Sequence, residues 1–401
     1  MSDHVPTSVR LCTAVGRRLT LHALTVADAR LTDLGSVELP SRVQCVRPHA
    51  ELPLLYVACA DRSPDADGDP YYAVVVRVGA DGALTVVGEP TPLPARPIDI
   101  TTDAGSSHLL TAYSSAPGLT VHTLAGDGAI GAQVPMPPDL DHGGSPHQVQ
   151  VCASGERAVI TARGSKPYGT PKYKPGALKV LAYDAGHVAN LYSVAPAEDS
   201  GLPGFNPRQV AFHPTLPTAY LSLEGQNMLT VLAVDGEDIG AEPLWTLDLL
   251  QDREHVMPRQ DGGALRLHPN GKFLYIANRN DGVRDPKQPS WLSPDPVPVF
   301  PGGENSVLVF ALDEATGEPV LRQRIDSGGL HPRTITMDPA GRVLVTGNMA
   351  PMRVGEPGGV RDVPAGLGVF RIAADGTLAL VRVVPIDVGP EILAWVGVVD
   401  R

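Results

Sequence analysis

The apolar positions of this chain come in pairs of short runs joined by a tight turn. Leu265–Leu267 leads into His-Pro-Asn-Gly, and a second run, Phe273–Ala277, ends on Asn278 and Arg279. The same shape recurs as RQVAFHPTLPTAYLSLE from Arg208 to Glu224 and as RTITMDPAGRVLVTGNM from Arg333 to Met349. It recurs again as HQVQVCASGERAVITAR from His147 to Arg163 and PIDITTDAGSSHLLTAY from Pro97 to Tyr113, and in a longer version beginning at Arg42. Pro, Gly, Asp and Asn fill the turns because they set or tolerate the backbone angles a turn needs. Each copy is followed by two more strand-like runs, such as MLTVLAV and AEPLWTLDL after Glu224, joined by DG- or TG-rich turns. That pattern predicts hairpins.

The unit is therefore four antiparallel strands, repeated at roughly 45 to 65 residues, and radial repetition of such units builds a β-propeller. Six copies are complete. The N-terminus supplies three strands, VRLCTAVG, LTLHALTV and TDLGSVEL, and the C-terminus a single one, ILAWVGVV. Three plus one predicts a seventh blade, with residues 392–399 beside the strand near Leu11, which would remove the exposed sheet edges. The expected fold is all-β, a seven-bladed propeller formed by residues 1–401 as one domain and closed by both ends of the chain.

The repeat also places side chains. The first and last residues of a copy flank an antiparallel hairpin, so they sit side by side at one edge of the blade. The starts are His147, Arg208, Gly263 and Arg333; the ends are Tyr113, Arg163, Glu224, Arg279 and Met349. Four arginines, a histidine and a glutamate are thus expected at one mouth of the central channel. Long Pro- and Gly-rich inserts follow Arg163, Arg279 and Met349 at that same edge, and loops on one face of a rigid scaffold are where function usually lies.

Composition narrows the partners. The chain has 401 residues, of which 42 are Gly and 40 Pro, and a net charge of -12. That balance argues against nucleic acid or an anionic membrane, and an anionic substrate then needs a local cluster of Arg such as this one. The four cysteines, Cys12, Cys45, Cys59 and Cys152, have no metal-like spacing and read as buried free thiols in a reducing compartment. No run approaches the ~20 apolar residues that span a bilayer, and MSDHVPTSVR has no apolar core of a leader, so a cytoplasmic location is expected. No metal and no cofactor is expected. Asp326–Gly329, DSGG, reads as a turn rather than a protease nucleophile, and His213 and His268 as turn residues on the far edge. The Lys- and Tyr-bearing insert KPYGTPKYKPG could attract a phosphate or carboxylate.

NPRQVAFHP, ALRLHPNGKFLYIANR, HPRTITMDPAGRVLVTGN and PHQVQV resemble the β-propeller lactonase family, which holds 6-phosphogluconolactonases and carboxymuconate lactonizing enzymes. The resemblance covers most of the chain. It implies a His, Arg, Glu, Arg site around the channel, at His147, Arg208, Glu224 and Arg279 here. A further His is usual after the Pro-His pair, where Gln148 and Gln150 stand. The implied reaction is hydrolysis of a sugar lactone without a metal, with Glu224 or His147 as base and Arg208 and Arg279 facing the oxyanion. The arginines would keep Glu224 ionised. Arg163, Arg333, Tyr113, His142 and Asn348 are the expected substrate-binding residues. Two other readings remain: a cycloisomerase acting on a carboxylated muconate with the same residues, and a non-catalytic binding scaffold. The expected partner is a small anionic lactone or carboxylate.

Overall fold

A computed structural model describes residues 7–60, 71–114, 116–165, 175–197, 202–282, 297 and 299–400. Its regular elements are all strands. Seven four-stranded antiparallel sheets are present among the described residues, six of them from consecutive stretches of chain. In the seventh, Ser8–Val15 pairs on one side with Arg18–Thr25 and on the other with Leu393–Val398, so both ends of the chain share a sheet.

Burial is greatest in the middle strands of the sheets and least in the outermost. Second strands such as Leu54–Ala60 and Thr218–Leu223 are buried at every position, whereas the fourth strand Leu378–Pro385 is largely exposed. The reason is packing between sheets. Seven apolar clusters lie between neighbouring sheets. One joins the terminal sheet to the first through Leu19, Leu21, Leu55 and Val57. Another joins the sixth sheet back to the terminal one through Val345, Leu367, Leu11 and Val396. Each fully buried Leu or Val in such a cluster contributes about 1.5–3 kcal/mol.

Polar ties add direction to this packing. On the short-turn face, His213 Nδ1 accepts the backbone N–H groups of Thr215 and Leu216, and its Nε2 lies 2.8 Å from the Gly271 carbonyl of the next sheet. His268 does the same one sheet further, accepting from Asn270 and reaching the Gly341 carbonyl at 3.0 Å. Gly341 has φ +68°, and a Cβ there would stand 2.2 Å from the imidazole, so the turn needs glycine. Both histidines are structural, as their turn positions predict. Ser327 of the DSGG stretch is likewise a buried turn residue, donating to the Gly329 carbonyl. The four cysteines are buried.

The innermost strands run from Val43, Pro97, Pro146, Pro207, Gln260, Pro332 and Leu393, and all seven line one cavity of about 530 Å³. Side chains on these strands bond to the backbone of the next. Asp99 accepts from the Val149 N–H, Gln148 from Val210 and Gln209 from Leu265. Gln148, which stands where the resemblance implies a histidine, is thus a tie between sheets.

One element was not predicted. Val299–Phe300, Met352–Glu356 and Gly359–Val363 form a three-stranded sheet joining the inserts that follow Arg279 and Met349. It has a small apolar core of Leu330, Met352 and Val363. Most of the insert after Arg163, and residues 283–296, lie outside the described residues.

Replacing Gln209 by Leu leaves the Leu265 N–H unpaired between two sheets. The expected loss is about 1–3 kcal/mol, read as a lower urea midpoint. An unchanged midpoint would show that these ties do not hold the sheets.

Candidate functional site

Every innermost strand carries an irregularity near its start. Pro146 pairs with Ala162 and Gln148 with Thr161, so His147 is skipped. Arg208 is skipped in the same way between Pro207 and Gln209, and Arg333 between Pro332 and Thr334. The equivalent residues elsewhere are Gln44, Ile98 and Ala394, and in the fifth strand the shift spans Gly263 and Ala264. A bulge frees a side chain from the alternation of the strand and re-aims it. Here His147, Arg208 and Arg333 all line the channel, beside residues that the regular alternation already turns inward.

Opposite each bulge, the second strand ends. Glu224 follows directly on Thr218–Leu223 and is 1% exposed. Its Oε2 accepts from Arg163 Nη1 at 2.7 Å and its Oε1 from Arg279 Nη2 at 2.5 Å, with Arg208 Nε at 3.5 Å from Oε1. Arg279 also approaches Asp261, at 3.8 Å. Arg333 adds a fourth guanidinium, in contact with Met349 Sδ. Buried ion pairs hold only when their remaining donors and acceptors are met. Among the described residues, Arg208 Nε and Nη1 and Arg279 Nε are buried without a hydrogen-bond partner, and so is His147 Nδ1. Four guanidiniums around Glu224 and Asp261 form a positive site in a chain of net charge -12.

The electrostatics follow from this crowding. Burial and the nearby charges of Arg208 and Arg163 hold the His147 imidazole well below its usual range, so it is neutral at neutral pH. Burial and the charge of Arg279 bring Arg208 down to about 9, and the same causes bring Arg333 down to about 10. Each guanidinium would gain from an added negative charge.

The structure brings His147, Arg208, Glu224, Arg279, Arg163 and Arg333 together. It does not bring Tyr113 and Asn348 there. Tyr113 is fully buried in the apolar cluster between the first two sheets, its hydroxyl 2.6 Å from Thr120 Oγ1. Asn348 is buried and bonded to Ser327 and Thr346. Both occupy the last paired position of their second strand, whereas Arg163 and Glu224 fall one residue beyond it, His147, Arg208 and Arg333 lie at bulges, and Arg279 is paired with Asp261. His142 is half-buried, with Nδ1 3.2 Å from the Gly143 carbonyl.

Sequence reasoning missed His331 and Asn206. His331 is 6% exposed, has a left-handed φ of 58°, and its Nε2 accepts from Arg279 Nη1 at 2.9 Å. Asn305 Oδ1 accepts the backbone N–H of both His331 and Asn280, fixing the two sides of that contact. Asn206 holds the carbonyls of Arg163 and Ser165. The signal was available: Ser145, Asn206 and His331 are each the polar residue before the proline that opens an innermost strand.

Taken together, a neutral imidazole, a buried carboxylate and convergent guanidiniums suit an anionic, carbonyl-bearing ligand. The family description "Lactonase, 7-bladed beta-propeller" matches residues 11–354. A 6-phosphogluconolactonase of Pectobacterium atrosepticum is 24% identical over 337 residues, covering 78% of this chain and 94% of that one. A 6-phosphogluconolactonase of Yersinia pestis is 26% identical over 254 residues, covering 62% and 67%. The solved structure of a periplasmic gluconolactonase from Pseudomonas aeruginosa superposes with a TM-score of 0.72 at 18% identity, covering 96% of this chain and 98% of that one. With most of its length matched, this chain belongs to the seven-bladed β-propeller lactonase family.

Proposed function

We propose that the seven sheets close into a single propeller domain and that the arginine-lined mouth of its channel hydrolyses a sugar lactone, with 6-phosphogluconolactone as the first candidate. The observation that carries this reading is the neutral His147 beside a cluster of guanidiniums with unmet donors. The relatives named 6-phosphogluconolactonase supply the substrate class. The reaction uses only the chain's own groups and needs no metal. A cytoplasmic location fits four buried cysteines.

His147 is the base in this mechanism. It takes a proton from water, and the resulting hydroxide attacks the ring carbonyl carbon. Arg208 and Arg279 hold the oxyanion that forms on the carbonyl oxygen. The C–O bond of the ring then breaks, and the ring oxygen leaves as a hydroxyl, taking the proton back from His147. The product acid ionises and releases one proton to solvent. Glu224 is less suited to the base role, because both of its oxygens already accept from guanidiniums. It holds Arg163, Arg208 and Arg279 in place. His331, through its bond to Arg279, positions that guanidinium. Arg163 and Arg333 complete a positive wall for the anionic part of the substrate.

Hydrolysis is followed by proton release at constant pH together with product mass. The protein is expected to release one proton per 6-phosphogluconolactone and to add one water. A product of unchanged mass would point to cycloisomerisation, and no turnover on any sugar lactone would overturn the proposal. His147→Asn should lower turnover by about 10²–10⁴, and Arg279→Met by about 10²–10³ if Arg279 faces the oxyanion.

The pH profile separates the two base candidates. A base must be unprotonated, and His147 titrates below 6.5, so the acid limb of kcat/KM should have its midpoint below 6.5. The charge of Glu224 raises His147, so Glu224→Gln should move that limb to still lower pH without removing it. His147→Asn should remove it. A limb that disappears in Glu224→Gln and survives in His147→Asn would make Glu224 the base.

A further inference from the structure

The channel has a second charged layer, on the short-turn side of the cluster around Glu224. Three residues beyond the bulge, each innermost strand turns another side chain into the cavity. At these positions stand Arg47, Thr101, Gln150, Arg266 and Thr336. A three-residue step along a strand is roughly 10 Å, so this layer is distinct from the one holding His147 and Arg208. The remaining two positions are small. Ala211 leaves its side of the layer open, while the room beside Gly397 is taken by the indole of Trp395, which an added Cβ would meet at 2.1 Å.

Arg47 and Arg266 are both solvent-exposed within this cavity, on the first and fifth sheets. Among the described residues, the Arg47 side chain makes no hydrogen bond or ion pair, and Arg266 donates only to its neighbouring Leu265 carbonyl. Among the described residues lining the cavity, the one carboxylate is Asp99, and it is engaged by the Val149 N–H. Two guanidiniums therefore share one partly committed carboxylate, in a chain whose overall charge is negative. Strands on the first and fifth sheets lie on different sides of the cavity, so their guanidiniums approach a common ligand from different directions. A tetrahedral oxyanion accepts from several directions at once, which suits this arrangement. The Thr101 and Thr336 hydroxyls and the Gln150 amide supply further polar groups at the same level.

We infer that the layer of Arg47 and Arg266 is a second anion site, built for a phosphate group. The ion states agree with this. Enclosure by the channel walls holds Arg266 below its usual range, with Asp99 opposing this and the charge of Arg47 adding to it, and burial raises Asp99 to about 6. A phosphate between the guanidiniums relieves the first effect. The phosphate can be a free ion entering from the short-turn face or the phosphate group of a substrate.

The test is calorimetric titration with inorganic phosphate of the intact protein, of Arg47→Gln/Arg266→Gln, and of Arg208→Gln/Arg333→Gln. The first double variant should lose one binding event, or weaken it by about 10- to 100-fold, whereas the second should retain that event. The single variant Arg47→Gln, which removes an exposed side chain without a bonded partner, should weaken the same event should the double variant not fold. Phosphate binding in the Arg47 and Arg266 variants equal to that of the parent would overturn the inference. The source of the phosphate is read from kinetics on gluconolactone with and without a 6-phosphate. A KM raised only for the phosphorylated lactone assigns the site to the substrate. A KM unchanged for both, with phosphate binding lost, assigns it to the free ion. The titration decides the site even if neither lactone is turned over.

Discussion

The buried carboxylate of Glu224 is the contact around which the arginine cluster is organised. It accepts hydrogen bonds from Arg163 of the third sheet and Arg279 of the fifth, and pairs in charge with Arg208 of its own hairpin in the fourth at 3.5 Å. Without that charge, three cations would face one another in a space with little water to screen them. Breaking one partner of such a buried set typically costs about 3–5 kcal/mol. The bulges at His147, Arg208 and Arg333, which recur in every innermost strand, here bring an imidazole and two guanidiniums toward the set around Glu224. Among the described residues, donors on Arg208 and Arg279 remain unmet and are available to an added negative charge.

This arrangement divides the labour between the two faces of the molecule. On the short-turn face, His213 and His268 link successive sheets through carbonyls at Gly271 and Gly341. Those histidines are fully used by the fold. On the other face, the residues before each opening proline support the site: Asn206 fixes the backbone of Arg163, and His331 receives a bond from Arg279. The small sheet formed by two inserts stands beside that face, built on Leu330 next to His331. A rigid scaffold with its polar irregularities collected at one mouth is a general way to hold reacting groups in register.

Much of this was legible in the sequence because the hairpin copy repeats with a constant spacing. Two residues 16 apart in each copy had to be neighbours, and Arg208 and Glu224 are. The strand count at the two ends predicted residues 392–399 beside the strand near Leu11, and Leu11 pairs with Val398. The misplaced residues show the limit of spacing. Tyr113 occupies the last paired position of its strand, where the side chain belongs to the packing between sheets, while Arg163 and Glu224 fall one residue beyond the last pair. A single-residue offset changes which side of a strand a side chain takes, and the bulges that set this offset leave no mark in an apolar pattern. His331 escaped for a related reason: its role depends on a left-handed backbone angle before Pro332. The three-stranded sheet depends on pairing between distant inserts, which carry no shared period.

The central claim is that a sugar acid is held at the mouth by the groups around Glu224. A crystal structure with 6-phosphogluconate, the product of the proposed reaction, tests it most directly. The account predicts the product carboxylate within hydrogen-bonding distance of Arg208 and Arg279, with an oxygen facing His147. A product bound elsewhere on the surface, with the guanidiniums at the mouth untouched at saturating concentration, would contradict it.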